Sequence, residues 1–331
     1  MKPWTRTEII RTCALCVLLW IPVAVVCFLT GRNGVSWPHS NIIEFRLTPV
    51  LTASLIGGTL AAAGVAYQSI LRNPLAEPFL LGVSSGASLA MYLSAISFGA
   101  VSAWLAPMGN IAAAFAGAMI AISISLALSQ KRGQLEPASL LIIGVIISTA
   151  CGSLYLLVYH LNLRNDMTYQ TGGPFRFLVG SINTNLSHRD ILITAIVSLI
   201  GWITLYSYAG PLHAASISVE EARSLGVDIN RVRWVILIIA SVMTAGVTAI
   251  SGPIGFVGLI CPHLARMIVG VDPRKMLPLA TALGAMLLSL ADALSRLLAP
   301  KTSGPLPVGV ITGLLGGPFF LLVFYRSRVR R

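Results

Sequence analysis

The stretch Ser251-Gly252-Pro253-Ile254-Gly255-Phe256-Val257-Gly258-Leu259-Ile260-Cys261-Pro262-His263-Leu264-Ala265-Arg266 is apolar, yet it contains two prolines and three glycines. Proline interrupts the hydrogen-bond ladder of a helix, and glycine weakens it. Within a bilayer, non-helical backbone is tolerated only where it is buried in protein or lines a wet cavity. The stretch therefore predicts a short or broken transmembrane helix, a device that recurs in transporters.

The composition of the whole chain agrees with a membrane protein. Of 331 residues, 56% are hydrophobic and 10% are charged, and the mean hydropathy is +0.83. These values exclude a soluble enzyme, a disordered chain and a disulfide-stapled secreted domain. The net charge of +12 is compatible with nucleic-acid binding, but in so apolar a chain it indicates orientation in a lipid bilayer, and no nucleic acid is expected as a partner.

The cysteines point to packing rather than chemistry. All five lie in apolar runs: Cys13, Cys16, Cys27, Cys151 and Cys261. Cys13 and Cys16 match a CxxC spacing, but their position in a hydrophobic run argues against a metal or redox site. We interpret all five as small buried hydrophobes.

The hydrophobic runs predict an all-α membrane protein with about ten transmembrane helices, several of them short or broken. Each run has about the 20 apolar residues that a bilayer core requires, except the eighth, which is short. The predicted spans are 12–30, 47–67, 79–99, 107–129, 137–160, 190–209, 232–250, 255–269, 276–298 and 307–325.

An even number of spans places both termini on one side of the membrane. If both termini are cytoplasmic, sixteen of the 23 Lys and Arg residues fall on the cytoplasmic side. Cytoplasmic loops collect Lys and Arg, so this distribution supports the predicted orientation.

A first polar segment, residues 68–78, joins the second and third predicted spans on the inner side. Asn73-Pro74 initiates a turn, and Pro78 stands where the next helix can begin. From the spacing alone, an ordinary polar hairpin between helices is preferred over a functional role.

A second polar segment, residues 211–231, is the longest inner connection. Ser218 and Glu221 form a capping-box pattern, and Gly226 is a natural stop after the short helix that follows. The segment therefore predicts a short amphipathic helix on the cytoplasmic face. A solvated connector and a docking element for a soluble partner both fit it.

His263 and Arg266 share one helical face in the broken stretch. A histidine at membrane depth raises the hypothesis of a proton relay or a metal site. No second His, Cys or carboxylate stands at ligand spacing, and Arg266 disfavours a bound cation. A structural histidine bonded to backbone is the preferred interpretation.

Taken together, these segments resemble the FecCD-type permease family, the membrane subunits of binding-protein-dependent ABC importers for iron-siderophores, heme and cobalamin. The resemblance runs from about residue 45 to 325, in order and with matching spacing. The matching runs are Arg46-Leu47, 64–68, 72–76, Leu81-Gly82, Gly86-Ala87, 225–227, 252–260, Pro262-His263, Arg266, Leu277-Pro278, Gly284-Ala285, Ala291-Asp292, Arg296 and 306–312.

The resemblance implies a single transmembrane permease domain over residues 1–331, in the cell inner (cytoplasmic) membrane. Such a subunit works with a second permease, identical or paralogous. A periplasmic or lipoprotein substrate-binding protein docks outside, and two ATPase subunits dock inside. The chain is not expected to be an enzyme or to bind a cofactor, since it has no GxxxxGK[ST] motif; ATP is used by the partner ATPase.

The resemblance also implies three sets of site residues. The loop 211–231 corresponds to the ATPase-coupling segment, and Arg46 and Arg296 correspond to the outer docking positions. The residues carried over are, for coupling, Ser218, Glu221, Ala222, Leu225 and Gly226, and, for structure or gating, Asn73, Pro74, Gly252, Pro253, Gly258, Pro262, His263 and Arg266.

The chain departs from the family pattern at two outer positions. Pro49 stands where a second Arg often occurs, and Pro305 replaces an acidic residue. Docking charges are then expected to shift to other outer basic residues, namely Arg32, Arg176 or Lys301. Asp292 and Arg296 are four residues apart on one helix face, so either an internal ion pair or a docking role explains Arg296.

Three alternative functions are compatible with a membrane protein of this composition. An importer of an iron-siderophore is preferred, with heme or cobalamin as alternative cargo. An intramembrane enzyme using His263 with Asp292 or a serine lacks a GxSxG or HExxH pattern. An ion-coupled secondary transporter needs charged groups midway along its spans, whereas almost all ionisable residues here fall at predicted ends.

Overall fold

The computed structural model of the chain describes residues 6–31, 34–38, 42–98, 106–131, 134–161, 179–182, 186–217, 226, 228–299 and 306–329. Within these ranges it has eleven α-helices and two short antiparallel hairpins. The helices are α1 (Arg6–Leu29), α2 (Ile43–Ile70), α3 (Val83–Phe98), α4 (Ala106–Leu128), α5 (Pro137–Leu161), α6 (His188–Ser207), α7 (Ala209–Ile217), α8 (Ile229–Ser251), α9 (Val257–Val269), α10 (Pro273–Leu298) and α11 (Val308–Val329). The hairpins pair β1 (Thr30–Gly31) with β2 (Gly34–Val35) and β3 (Gln130–Lys131) with β4 (Gln134–Leu135), and a 3-10 turn covers Pro78–Leu81.

Helices stand at all ten predicted spans, which confirms an all-α membrane protein. Among the described residues, seven helices are long and apolar enough to cross a bilayer: α1, α2, α4, α5, α6, α8 and α10. The predicted third, eighth and tenth spans correspond to α3, α9 and α11, three of the four remaining helices. The 13 residues of α9 rise only about 20 Å, less than a bilayer core of about 30 Å. The cytoplasmic placement of both termini stays a prediction.

The sequence does not predict helix α7, because Gly210 and Pro211 are typical of the start of a loop. It begins at Ala209, and Pro211 falls in its first turn, where proline is tolerated since the amide of that residue has no helical acceptor. The predicted inner connection is therefore helical up to Ile217.

Helix α2 is the centre of the molecule. Its small residues are fully buried and let neighbouring backbones approach closely, which is how helices associate in lipid. A Cβ built on Gly57 would overlap the carbonyl oxygen of Gly284 in α10. The contact between α2 and α10, the most extensive that α2 makes, therefore depends on a glycine in each helix.

Large apolar side chains remain exposed on α1, α5 and α6, for instance Leu18, Ile146 and Leu199. Such surfaces suit lipid or another membrane subunit rather than water. All five cysteines are free: Cys16, Cys27 and Cys261 are buried, as predicted, whereas Cys13 and Cys151 are only partly buried.

Candidate coupling, hinge and docking sites

The predicted broken helix is confirmed between α8 and α9. Helix α8 ends at Ser251, and α9 begins at Val257. Gly252 has φ 69°, and Phe256 also has φ 69°, a conformation that costs a bulky residue energy and persists only when its surroundings impose it. The break is therefore a built feature of the fold rather than frayed helix.

Gly258 is the point where α9 meets α2. A Cβ built on Gly64 would overlap the carbonyl oxygen of Gly258, and a Cβ on Gly258 would lie 2.9 Å from Cδ of Pro78. The first turn of α9 is thus held between α2 and the 3-10 turn Pro78–Leu81.

Pro262 changes the hydrogen bonding of α9. Proline has no N–H, so the carbonyl of Gly258, four residues earlier, lacks its helical donor. Nε2 of Gln68 donates toward that carbonyl oxygen at 3.4 Å and toward the Leu259 oxygen at 3.3 Å. Nη2 of Arg266 in turn donates to Oε1 of Gln68 at 3.4 Å. The buried amide of Gln68 therefore links the α9 carbonyls to Arg266.

The break is also tied to the start of α11. The Ser181 amide donates to the Ser251 carbonyl at 2.8 Å, and the Gly309 amide donates to the Gly180 carbonyl at 3.1 Å. A Cβ on Gly180 would overlap the carbonyl oxygen of Pro253. Pro253 therefore lies against the short segment Gly180-Ser181, which forms hydrogen bonds with the end of α8 and the start of α11.

His263 packs on aromatic rings of α11. Its ring centroid is 6.1 Å from that of Phe319 and 6.1 Å from that of Phe320. Its Nδ1 is buried without a hydrogen-bond partner among the described residues, so the expected backbone bond is not made at this nitrogen. No group of three or more His, Cys, Asp or Glu side chains that could hold a metal occurs in the ranges the structure describes.

The connection 71–77 forms the predicted turn at Asn73-Pro74. Oδ1 of Asn73 accepts a hydrogen bond from the Leu75 amide at 2.9 Å, and the Asn73 carbonyl accepts from the Ala76 amide at 3.0 Å. Ala76 is fully buried. The turn is thus closed by both side-chain and backbone hydrogen bonds of Asn73.

Two charged residues flank this turn, and sequence reasoning gave neither a role. Nε and Nη2 of Arg72 donate to the carbonyl of Ala215 in α7 at 2.9 and 2.6 Å. A carboxylate oxygen of Glu77 accepts from the amide of Phe256. Burial raises the pKa of Glu77 to about 7, partly opposed by that amide. Their partners are 143 and 179 residues away, so only their charge beside the turn could have marked them.

The predicted coupling residues are only partly described. Ser218, Glu221, Ala222 and Leu225 lie outside the described residues. Gly226 has φ 74°, the left-handed conformation typical of a glycine that ends a helix. Leu212 in α7 is fully buried, so the helix that leads into this segment is packed on the membrane domain.

The two predicted docking residues meet at the end of α1. Nη1 of Arg46 donates to the carbonyls of Leu29 at 2.9 Å and Ser36 at 2.7 Å. Arg296 donates to the carbonyls of Thr30 and Cys27, each at 3.3 Å. Cations stabilise the carbonyl end of a helix. Both guanidinium groups therefore hold the hairpin β1–β2 in place.

Arg296 also forms the internal ion pair that the sequence left open. Its Nη2 is 2.9 Å from Oδ2 of Asp292, and the two side chains are only 16% and 8% exposed. Pro49 is buried within α2, whereas Pro305 and the alternative docking residues Arg32, Arg176 and Lys301 lie outside the described residues.

A family model, curated relatives and a solved structure all match this chain. The model of the FecCD transport family matches residues 12–326. The chain is 33% identical over 328 residues to the vitamin B12 import system permease protein BtuC of Vibrio cholerae, covering 96% of this chain and 94% of that protein. It is 35% identical over 308 residues to the hemin transport system permease protein HmuU of Yersinia pestis, covering 91% and 87%.

A solved structure shows the same fold. The structure of an ABC transporter assigned to the metal-chelate type, in an inward-facing conformation, superposes with a TM-score of 0.82 at 29% identity. The match covers 96% of this chain and 99% of that one. With the family match over nearly its whole length, this chain belongs to the FecCD transport family, the multi-pass membrane permease subunits of ABC importers.

Proposed function

We propose that this chain, as a single permease domain in the cytoplasmic membrane, forms the translocation path for an iron-siderophore complex together with a second permease subunit. A substrate-binding protein delivers the complex from outside, and two ATPase subunits drive transport from inside. The observation that carries the proposal is the family match over residues 12–326.

The chemistry of the cargo is supported by what the similar proteins are named for. Vitamin B12, hemin and metal chelates are all complexes in which an organic ligand encloses a metal ion. An iron-siderophore belongs to the same chemical class. Hemin and cobalamin are the alternative cargoes of the same importer type.

Energy coupling is proposed for the inner segment after α7. Ser218, Glu221, Ala222, Leu225 and Gly226 would form a short helix seated on an ATPase subunit. The support is that α7 is packed on the membrane helices, with Leu212 fully buried. Closure of the ATPase can then move the spans as rigid bodies.

Gating is proposed for the α8–α9 break and the turn that contacts it. The residues are Asn73, Pro74, Gly252, Pro253, Gly258, Pro262, His263 and Arg266. A helix broken by two residues at positive φ can change direction without breaking a continuous hydrogen-bond ladder. The buried link from Gln68 to Arg266 supports one defined arrangement of this region.

Docking is proposed for the outer face around Arg46 and Arg296. Both side chains fix the hairpin β1–β2, so charge reversal at either position changes the shape as well as the charge of this face. Charges at a docking face steer and orient a binding protein rather than supply most of the affinity. Transport by an Arg296→Glu chain with binding protein present tests this role, and unchanged docking and uptake contradict it.

The complete transporter in proteoliposomes tests the function. The vesicles contain this chain, its second permease and the ATPase subunits, with the binding protein outside. Uptake of radiolabelled ferric siderophores, hemin and cobalamin is compared with ATP, without ATP, and with ATP plus a protonophore. We expect ATP-dependent uptake of a ferric siderophore that survives the protonophore. Uptake of hemin or cobalamin but of no ferric siderophore contradicts the proposed cargo. Loss of uptake in the presence of the protonophore, with ATP intact, favours an ion-coupled transporter.

A further inference from the structure

Residues 72–77 lie in the connection between α2 and α3, and the first of them, Arg72, is bonded to the helix that precedes the coupling segment. Nε and Nη2 of Arg72 both donate to the carbonyl oxygen of Ala215, at 2.9 and 2.6 Å. Ala215 lies in the last turn of α7, where carbonyls have no helical donor. A guanidinium group there satisfies an orphan acceptor and complements the negative end of the helix.

The backbone of Arg72 shows that this contact has a cost. Arg72 follows the end of α2 with φ 50°, a left-handed conformation that glycine adopts freely and arginine does not. A glycine would end α2 with less strain but would leave Ala215 without its donors. The side chain of Arg72, rather than its backbone, explains arginine at this position.

The last residue of the segment 72–77, Glu77, is bonded to the α8–α9 break. Glu77 accepts a hydrogen bond from the amide of Phe256, the residue before α9, whose own side chain provides no cap. A carboxylate at a helix N-terminus is favoured by the helix dipole. The ring of Phe256 fits against Gly316 of α11, where a Cβ would overlap it. Glu77 therefore holds a residue that contacts both α9 and α11.

The residues between Arg72 and Glu77 have little freedom to stretch. Asn73 closes the turn with two hydrogen bonds, to the amides of Leu75 and Ala76. Pro74 has a fixed φ, as does Pro78 immediately after Glu77. A short segment that is closed internally transmits displacement between its ends rather than absorbing it.

We infer that residues 72–77 form a strut that passes movement of α7 to the α8–α9 break, with Arg72 and Glu77 as its two positioning residues. The inference rests on the proposed function, in which the segment after α7 contacts the ATPase. When α7 moves, the strut displaces Phe256, and with it the adjoining ends of α9 and α11. The coupling loop then reaches the break through six residues, without reorganisation of α8.

The test measures coupling separately from stability. Arg72→Gly relieves the positive φ but also removes the bonds to the Ala215 carbonyl. These two effects on stability have opposite sign, so the thermal stability should stay close to that of the wild type. Glu77→Ala removes the acceptor for the Phe256 amide, whereas Glu77→Gln keeps an oxygen acceptor. Each variant is assembled into the complete transporter in proteoliposomes. ATP hydrolysis and uptake of the radiolabelled ferric siderophore are measured together; hemin or cobalamin replaces it where wild type carries that cargo.

For Arg72→Gly and Glu77→Ala we expect ATP hydrolysis to continue while the amount of cargo taken up per ATP falls about three- to tenfold. Glu77→Gln should stay close to wild type. Because the two residues act in series, the double variant Arg72→Gly/Glu77→Ala should be no worse than the more impaired single variant. Arg11→Ala, which removes an exposed arginine of α1 outside the coupling segment, controls for loss of one positive charge and should leave the ratio unchanged.

The outcomes separate this inference from the function on which it rests. Wild-type ATP-driven uptake with an unchanged ratio in both single variants overturns the strut alone, as do losses that add in the double variant. Absence of ATP-driven uptake in the wild type overturns the proposed function and the strut with it. If Arg72→Gly does not fold, Arg72→Asn carries the same test, since asparagine also tolerates a positive φ.

Discussion

Gly64 in α2 and Gly258 in α9 meet backbone to backbone, so that a Cβ on Gly64 would overlap the carbonyl oxygen of Gly258. The obstacle is main chain, which cannot rotate away as a side chain can. Gly64→Ala must therefore push α9 away from α2, and overpacking of this kind costs about 1–3 kcal/mol. We expect a lower midpoint of thermal unfolding for the purified protein in detergent.

Gly152→Ala in α5 is the matched control, because nothing lies within 4 Å of a Cβ built there. Alanine is the better helix former by about 1 kcal/mol, so the midpoint should stay equal or rise. If Gly64→Ala and Gly152→Ala lowered the unfolding midpoint equally, the close contact between α2 and α9 would not be the reason for glycine at position 64.

Gln68 and Pro262 supply a second prediction. The Gln68 amide takes the place of the N–H that Pro262 lacks, by donating toward the Gly258 carbonyl. Gln68→Leu leaves that buried carbonyl unpaired, which costs about 1–3 kcal/mol. Pro262→Ala restores a helical donor to the same oxygen, so Gln68→Leu should be less destabilising in that background.

The comparison is a double-mutant cycle of unfolding midpoints in detergent. A positive coupling between the two sites supports the exchange of donors. Strict additivity contradicts it and places the role of Gln68 in its contact with Arg266 instead.

Arg296 and Asp292 form a third testable pair. Asp292 is only 8% exposed, so Arg296→Met leaves a nearly buried carboxylate without its partner, at a cost of about 3 kcal/mol. Adding Asp292→Asn removes the charge and should recover most of that loss, leaving the loss of the bonds to Thr30 and Cys27. Thermal unfolding of both variants measures the recovery. No recovery in the double variant would assign the loss to the helix carbonyls alone.

Much of the fold could be predicted because a bilayer imposes simple rules on sequence. Apolar runs of sufficient length located the helices, and the prolines and glycines around Gly252 and Pro262 located the break. Helix α7 was missed since nine residues are too few to show an apolar run, and Pro211 resembles a loop residue. The ion pair of Asp292 with Arg296 could be foreseen because both lie on one helix face.

The long-range contacts could not be predicted in the same way. Arg72 and Gln68 bind backbone carbonyls of distant helices, and Glu77 binds a backbone amide. Backbone donors and acceptors leave no trace in side-chain patterns. Arg46 and Arg296 were expected at an outer docking surface, and the structure shows in addition that they hold the end of α1. The docking role itself stays a prediction.

Glu77 gives a prediction that depends on pH. It lies in the connection before α3, outside the spanning helices, and burial raises its pKa from 4.5 to about 7. The folded protein thus binds a proton more tightly than the unfolded chain does. This contribution to stability is fully present below pH 4.5 and is lost as the pH rises through about 7. Glutamine stays neutral throughout and keeps an acceptor for the Phe256 amide.

Thermal unfolding of wild type and Glu77→Gln in detergent should therefore differ by a pH-dependent amount. Near pH 5 the two midpoints should be close, because Glu77 is then protonated in the folded protein. By pH 8 wild type should lose a few degrees relative to the glutamine variant, because it carries a buried carboxylate. Glu136→Gln, at an exposed site, controls for removal of one negative charge. Parallel midpoints of wild type and Glu77→Gln from pH 5 to 8 would mean that the carboxylate is solvated, and the Phe256 amide would then need a different acceptor.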